Sequence, residues 1–145
     1  MGQAREVMDR LTEALTTKPD LKVIAELFAQ DAVAVTPEAG ELHGRDEIVE
    51  YWRQMTESVP EATWEPVHSF EIGTTAVDEG YFRGRNTGPL RMPDGRTLPA
   101  TQKELRVRGV DLATVVDGQI VSYRIYFDQL EFLEQLGLLP DLATA

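Results

Sequence analysis

Residues 105–127 read LRVRGVDLATVVDGQIVSYRIYF. Two alternating runs meet at Asp117-Gly118, a dipeptide whose easy access to positive φ makes it a strong two-residue hairpin signal. The pattern predicts strands over about 101–116 and 119–127. Successive side chains on a strand point to opposite faces. Leu105, Val107, Gly109, Asp111, Ala113 and Val115 therefore share one face of the first strand, and Val121, Tyr123, Ile125 and Phe127 share the apolar face of the second. A hairpin this long has to lay its apolar face on a core, and Asp111 goes in with it. An isolated charge on such a face is costly unless it is paired, hydrated or protonated.

The rest of the chain supplies the cover. Val7, Met8, Leu11 and Leu15 recur at helical spacing; Asp20 is placed to cap a second helix carrying Leu21, Ile24, Ala25 and Phe28; and Ile48, Tyr51, Trp52 and Met55 mark one face of a third. DAVAVTP (31–37) reads as a short strand, GELHG (40–44) as a loop, and 63–72 and 75–87 as two more strands. TGPLRMPDGRTLPA is rich in Gly and Pro and reads as a long hairpin loop. Asp128 and Glu131 have the spacing of a helix-capping pair for a last helix, with Gly137 at its end and Pro140 blocking continuation. The order α-α-β-α-β-β-β-β-α has too few, too clustered helices for alternating βαβ units. It predicts one α+β domain over 1–145: a curved antiparallel β-sheet wrapped around helices, a cone-shaped α+β barrel with an internal pocket.

The charge balance is −11. Nucleic acids and anionic membranes want basic surfaces, so neither is expected as a partner. The chain has no cysteine and only two histidines, His43 and His68, which leaves no Cys-based or His-rich metal site. No stretch is apolar over a membrane-spanning length, and a cytoplasmic location is expected. No cofactor is expected either.

The element order, the FAQDAVAVTP strand entry, the GRDEIVEYW helix and the DGQIVSYRIYFDQLEFLEQLG ending resemble the nuclear-transport-factor-2-like superfamily, and within it the SnoaL-like polyketide cyclases. The resemblance implies a small-molecule pocket and, as is common in that superfamily, a homodimer. It places a catalytic aspartate on the last strand, where this chain has Ile125, a histidine where it has Asp111, and an asparagine near Ala34. An epoxide-hydrolase Arg-x-Asp pair has no counterpart in RGRNT, which offers Arg83 and Arg85 without the acid. Ketosteroid isomerases, which keep an aspartic acid neutral in an apolar site, match differently. Their oxyanion-hole aspartate falls on Asp111, their general base on Thr36 and their first-helix tyrosine near Thr12.

Asp111 is thus the candidate catalytic residue, as a hydrogen-bond donor or an acid–base group toward an apolar carbonyl compound. Its alternatives are an ion pair with an arginine such as Arg85, or a cavity water. The expected pocket walls are Phe28, Thr36, Tyr51, Trp52, Val107, Tyr123 and Ile125, enclosing an apolar small molecule. Glu38, Glu41 and His68 are the candidates for a separate base; His43 is a weaker one. Arg106, Arg108, Arg124 and Tyr126 lie on the opposite face, which either packs on a second subunit or stays solvated. Three functions follow: an isomerase or cyclase, a non-catalytic ligand-binding module, or a dimerising scaffold with a filled cavity.

Overall fold

The computed structural model describes residues 2–16, 18–92 and 94–139; Pro140 lies outside them. Helices α1 (Gln3–Leu15) and α2 (Leu21–Leu27) lead into β1 (Phe28–Thr36) and β2 (Gly40–His43), followed by α3 (Arg45–Ser58). Strands β3 (Thr63–Ile72) and β4 (Thr75–Arg85) come next, then a small pair, β5 (Leu90–Arg91) and β6 (Thr97–Leu98). The chain continues through β7 (Glu104–Val116) and β8 (Gln119–Phe127) to α4 (Gln129–Gln135). Six strands form one open sheet in the order β2-β1-β8-β7-β4-β3. The helices pack on its concave side, where α1, α2 and α3 bury Val7, Met8, Leu11, Ile24, Leu27 and Ile48. This is the α+β cone expected from the alternation.

The predicted hairpin is present. Asp117 (φ 51°) and Gly118 (φ 79°) make its turn with both central residues at positive φ, which matches the twist of the strands they join. Asp111 lies opposite Ile125 in the β7–β8 ladder, and Val107, Ala113, Val115, Tyr123 and Ile125 are buried. One detail differs. The register slips between Thr114 and Val115, so that Thr114 faces Ser122 while Val115 faces Ile120. The bulge skips Val121 and turns Ile120 inward, where it is fully buried. Strict alternation cannot reveal such an inserted residue.

Other departures have equally local causes. GELHG contributes a strand, not a loop, because Gly40 to His43 pair with Thr36 to Val33; four residues without alternation carry no strand signal. The Gly/Pro-rich loop holds the two-residue pairs of β5 and β6. β1 runs parallel to β8, the one parallel pairing in an otherwise antiparallel sheet. More than half of the chain, from Pro37 to Gly118, separates these strands, so no tight turn dictates their direction.

Two polar devices finish the frame. Asp128 caps α4 by accepting from Leu130 and Glu131 backbone N–H groups at 3.0 and 3.1 Å. Gln135 then covers the edge of β7 that β8 leaves bare, accepting from Arg106 N at 2.7 Å and donating to Arg106 O at 2.9 Å. Asn86, fully buried at the end of β4, ties three loops together. It donates to Ser58 O, Ser58 Oγ and Gly88 O, each at 3.0 Å, and accepts from Thr101 N at 2.7 Å and Thr101 Oγ1 at 2.9 Å. Replacing Asn86 with alanine strands several of these buried groups. We expect Asn86→Ala to lose on the order of 3 kcal/mol in urea denaturation, with an unchanged midpoint marking the network as dispensable.

Candidate functional site

A cavity of about 110 Å³ lies between α1, α3 and the concave face of the sheet. Thr12 and Leu15 come from α1, Tyr51, Trp52 and Met55 from α3, and Trp64, Phe82, Val107, Asp111, Tyr123 and Ile125 from the strands, with Phe127 and Phe132 closing one end. The helical residues reach the same space because they recur at three- and four-residue spacing on one face. The strand residues do so because they alternate. The walls are overwhelmingly apolar, and Asp111 is the one acidic side chain among them.

Its carboxyl is held by Tyr123, whose hydroxyl donates to Asp111 Oδ2 at 2.7 Å. These two residues are diagonal neighbours across the β7–β8 ladder, within reach for an aromatic side chain. No arginine, lysine or histidine pairs with Asp111 among the described residues. Arg85, the cation the sequence offered, instead reaches Glu104 at 2.7 Å and Gln102 O at 2.8 Å on the exposed end of β4. Burial is therefore the dominant influence on Asp111. It pushes the carboxyl from the usual 3.8 up to about 7, opposed by the Tyr123 hydrogen bond and reinforced by the negative charge of Asp78. The same burial pushes the Tyr123 phenol well up, so it stays a donor.

A second carboxyl–tyrosine pair stands nearby. Tyr51 donates to Glu38 Oε1 at 2.6 Å, while Glu38 Oε2 is buried without a partner. Burial raises the Glu38 carboxyl, with the Tyr51 hydrogen bond acting against it. Tyr51 is shared: its side chain lines the Asp111 cavity and also a neighbouring one of about 170 Å³ that includes Glu38 and Arg91. Trp52 sits between the two tyrosines, edge-on to Tyr51 at 5.0 Å and to Tyr123 at 5.8 Å.

Of the expected pocket residues, the structure brings Tyr51, Trp52, Val107, Tyr123 and Ile125 to the cavity beside Asp111. Phe28 and Thr36 are not in its walls. Phe28 is fully buried behind Tyr123, its ring edge-on at 5.8 Å, and Thr36 is buried, its hydroxyl accepting from Ala39 N at 2.9 Å. The two residues begin and end β1, which lies beyond β8 from the cavity, so helical and strand phase alone put them one layer too close. Among the candidate bases, Glu41 and His43 are exposed neighbours on β2, and His68 is exposed on β3, stacked on Phe70 at 5.8 Å. Glu38 alone is half-buried near the site.

Arg5 and Asp78 went unread in the sequence. Arg5 is only 8% exposed and Asp78 4%, and their closest ionic contact is 2.7 Å. Asp78 is also the ladder partner of Asp111 on the neighbouring strand. The hint was present in the alternation of TAVDEGYFRGR, where Asp78 shares a face with Ala76; Arg5, on the apolar side of an amphipathic helix, had no visible partner. Among the described residues, no three metal-binding side chains cluster to hold an ion, and no helix is long and apolar enough to cross a membrane.

Residues 8–123 match the family model for the SnoaL-like domain, and the chain belongs to that family. Solved structures share the fold over nearly the full length. A candidate SnoaL-like polyketide cyclase from Jannaschia sp. CCS1 superposes with a TM-score of 0.82 at 19% identity, covering 95% of this chain and 94% of the other. IdmH, a candidate polyketide cyclase from Streptomyces antibioticus, gives 0.75 at 25% identity over 94% and 99%. A hypothetical protein with a ketosteroid isomerase-like fold from Catenulispora acidiphila, solved with trimethylamine, gives 0.74 at 19% identity over 93% and 94%. No curated protein matches the chain.

The raised carboxyl has a thermodynamic signature. Between 3.8 and about 7 the folded protein keeps a proton on Asp111 that the unfolded chain has released. Stability from this group is therefore present in acid and lost as pH rises through that window, with a slope approaching ~1.4 kcal/mol per pH unit. Glu38, also raised by burial, adds in the same direction. Asp111→Asn, which still accepts from Tyr123, should flatten this slope and be more stable than the wild type at pH 7 in denaturant melts. A variant less stable at pH 7, with the gap closing in acid, would mean that a cation pairs with Asp111.

Proposed function

We propose that this protein is an acid–base catalyst of the isomerase or cyclase type, acting on an apolar carbonyl compound held in the Asp111 cavity. The observation that carries the reading is a carboxyl in an apolar cavity whose only hydrogen-bond partner among the described residues is a tyrosine hydroxyl. A carboxyl tuned to about 7 suits proton transfer in both directions near neutral pH. In its ionised form Asp111 takes a proton from the carbon next to the ligand's carbonyl, and in its acid form it returns one. Tyr123 fixes Oδ2 throughout. Tyr51 and Trp52 hold the ligand body against the sheet.

The family supports a small-molecule pocket, and the ladder supports the choice of residue. The resemblance to SnoaL-like cyclases places their catalytic aspartate at Ile125. Asp111 is the ladder partner of Ile125 on the same concave face. A carboxyl on β7 thus serves the stretch of cavity that the cyclases reach from β8. Glu38 needs no role in the transfer itself, since Tyr51 separates it from the cavity.

The homodimer belongs to the same proposal. Phe70 is 51% and Tyr126 52% exposed on the convex face, which no helix covers. Arg106 lies 3.7 Å over the Tyr81 ring and pairs with Glu65 at 3.1 Å, so its charge is largely neutralised there. A second copy of the sheet is the occupant that a convex face of this kind fits.

Exchange of protons for deuterons next to the carbonyl of a bicyclic ketone, followed by NMR in D₂O with purified protein, tests the activity. The wild type should accelerate exchange, and Asp111→Asn should reduce it ~10²–10⁴-fold. Saturable binding of the ketone with no accelerated exchange would instead make this a non-catalytic binding module.

A further inference from the structure

We propose that Asp78, pinned by Arg5, is a positioning residue for Asp111: across the β4–β7 ladder it holds a fixed negative charge against the cavity carboxyl and so keeps a proton there. The inference rests on Asp111 being the acid–base group of the cavity.

The geometry is a cross-strand pair of acids. Asp78 and Asp111 face each other in the ladder. Directly opposite residues on antiparallel strands point to the same side, with Cβ atoms roughly 5 Å apart. Two carboxylates so placed, Asp78 buried and Asp111 half-buried, do not both ionise cheaply. Arg5 decides which one does. From α1 its guanidinium donates to Asp78 Oδ2 at 2.9 Å, with a second contact to Oδ1 at 2.7 Å. Asp111 receives no such partner and takes a tyrosine hydroxyl instead.

The cation does not cancel the field. Arg5 also donates to Asp9 at 2.8 and 3.0 Å, so one positive charge serves two carboxylates. A third, Glu71, accepts from the backbone N–H groups of Gly2 and Arg5 at 3.0 and 2.8 Å. The cluster behind Asp111 stays net negative. The other titratable groups facing Asp111 are Tyr123 on β8 and Tyr51 on α3, both un-ionised phenols, with Glu38 one step further behind Tyr51. Neither offers a positive charge.

An ion pair that served only to anchor α1 would change stability when broken and leave the titration of Asp111 alone. A pair that sets the field changes that titration when either of its ends is removed. The side-chain carboxyl ¹³C shift of Asp111, assigned by its absence in Asp111→Asn, reads this directly. Asp78→Asn should move the midpoint down by about one pH unit or more. Arg5→Met takes away the cation that keeps Asp78 ionised, so Asp111 should then titrate in two steps coupled to Asp78, and Arg5→Lys should restore the single wild-type step. Should the buried variants fail to fold, Asp9→Asn removes one negative charge from the same cluster at an exposed site, and the midpoint should fall at low ionic strength. A midpoint that rises in Asp78→Asn, or an unchanged midpoint in every folded variant including Asp9→Asn, overturns the proposal. The readout needs no turnover. Absent ketone exchange together with a lowered Asp111 midpoint in Asp78→Asn would remove the catalytic reading and leave the positioning pair standing.

Discussion

The hydrogen bond from Tyr123 to Asp111 is the interaction around which the cavity is organised. A carboxyl among Val107, Ile125, Trp52 and Phe127 is tolerated only if it sheds its charge or finds a counter-ion. Among the described residues no counter-ion reaches it. The tyrosine satisfies one oxygen without neutralising the group, so the carboxyl sits near the balance point between its two forms. A lysine or arginine in the same place would give a better-anchored and chemically inert site.

The fold makes that balance possible by distributing charge between adjacent strands. β7 lies between β4 and β8, so Asp111 has a ladder neighbour on each side: Asp78 on one, Ile125 on the other. The acid on β4 receives the arginine from α1, and the apolar residue on β8 keeps the other flank dry. Residues from both ends of the chain therefore converge on one side chain. The aromatic chain of Phe28, Tyr123, Trp52 and Tyr51, each ring edge-on to the next, then ties the helices to the strand that carries the donor.

Much of this was legible in the amino-acid order. The hairpin at Asp117-Gly118, the inward face with Asp111 on it, the helix caps at Asp20 and Asp128, and the placing of Tyr51, Trp52, Val107, Tyr123 and Ile125 around one space follow from period and turn chemistry. What stayed hidden depended on non-local pairing. The bulge at Val121 is invisible to alternation. β2 is too short to show a period. Arg85 was the nearest basic residue to expect beside Asp111, but register sends it to Glu104 while Arg5, over a hundred positions away in the chain, takes the neighbouring acid. Phe28 and Thr36 fit the apolar phase, yet strand order puts β8 between β1 and the cavity.

Everything proposed for the cavity turns on Asp111 carrying a proton through much of the range in which an ordinary aspartate is ionised. Infrared difference spectroscopy on protein labelled with ¹³C at its aspartate carboxyl groups, with Asp111→Asn as the reference, reads this claim most directly. A protonated carboxyl C=O band assignable to Asp111 should persist well above 3.8 and bleach with a midpoint near 7. A band already lost below 3.8, the value of an unburied aspartate, would show an ionised and therefore compensated carboxyl, and would contradict it.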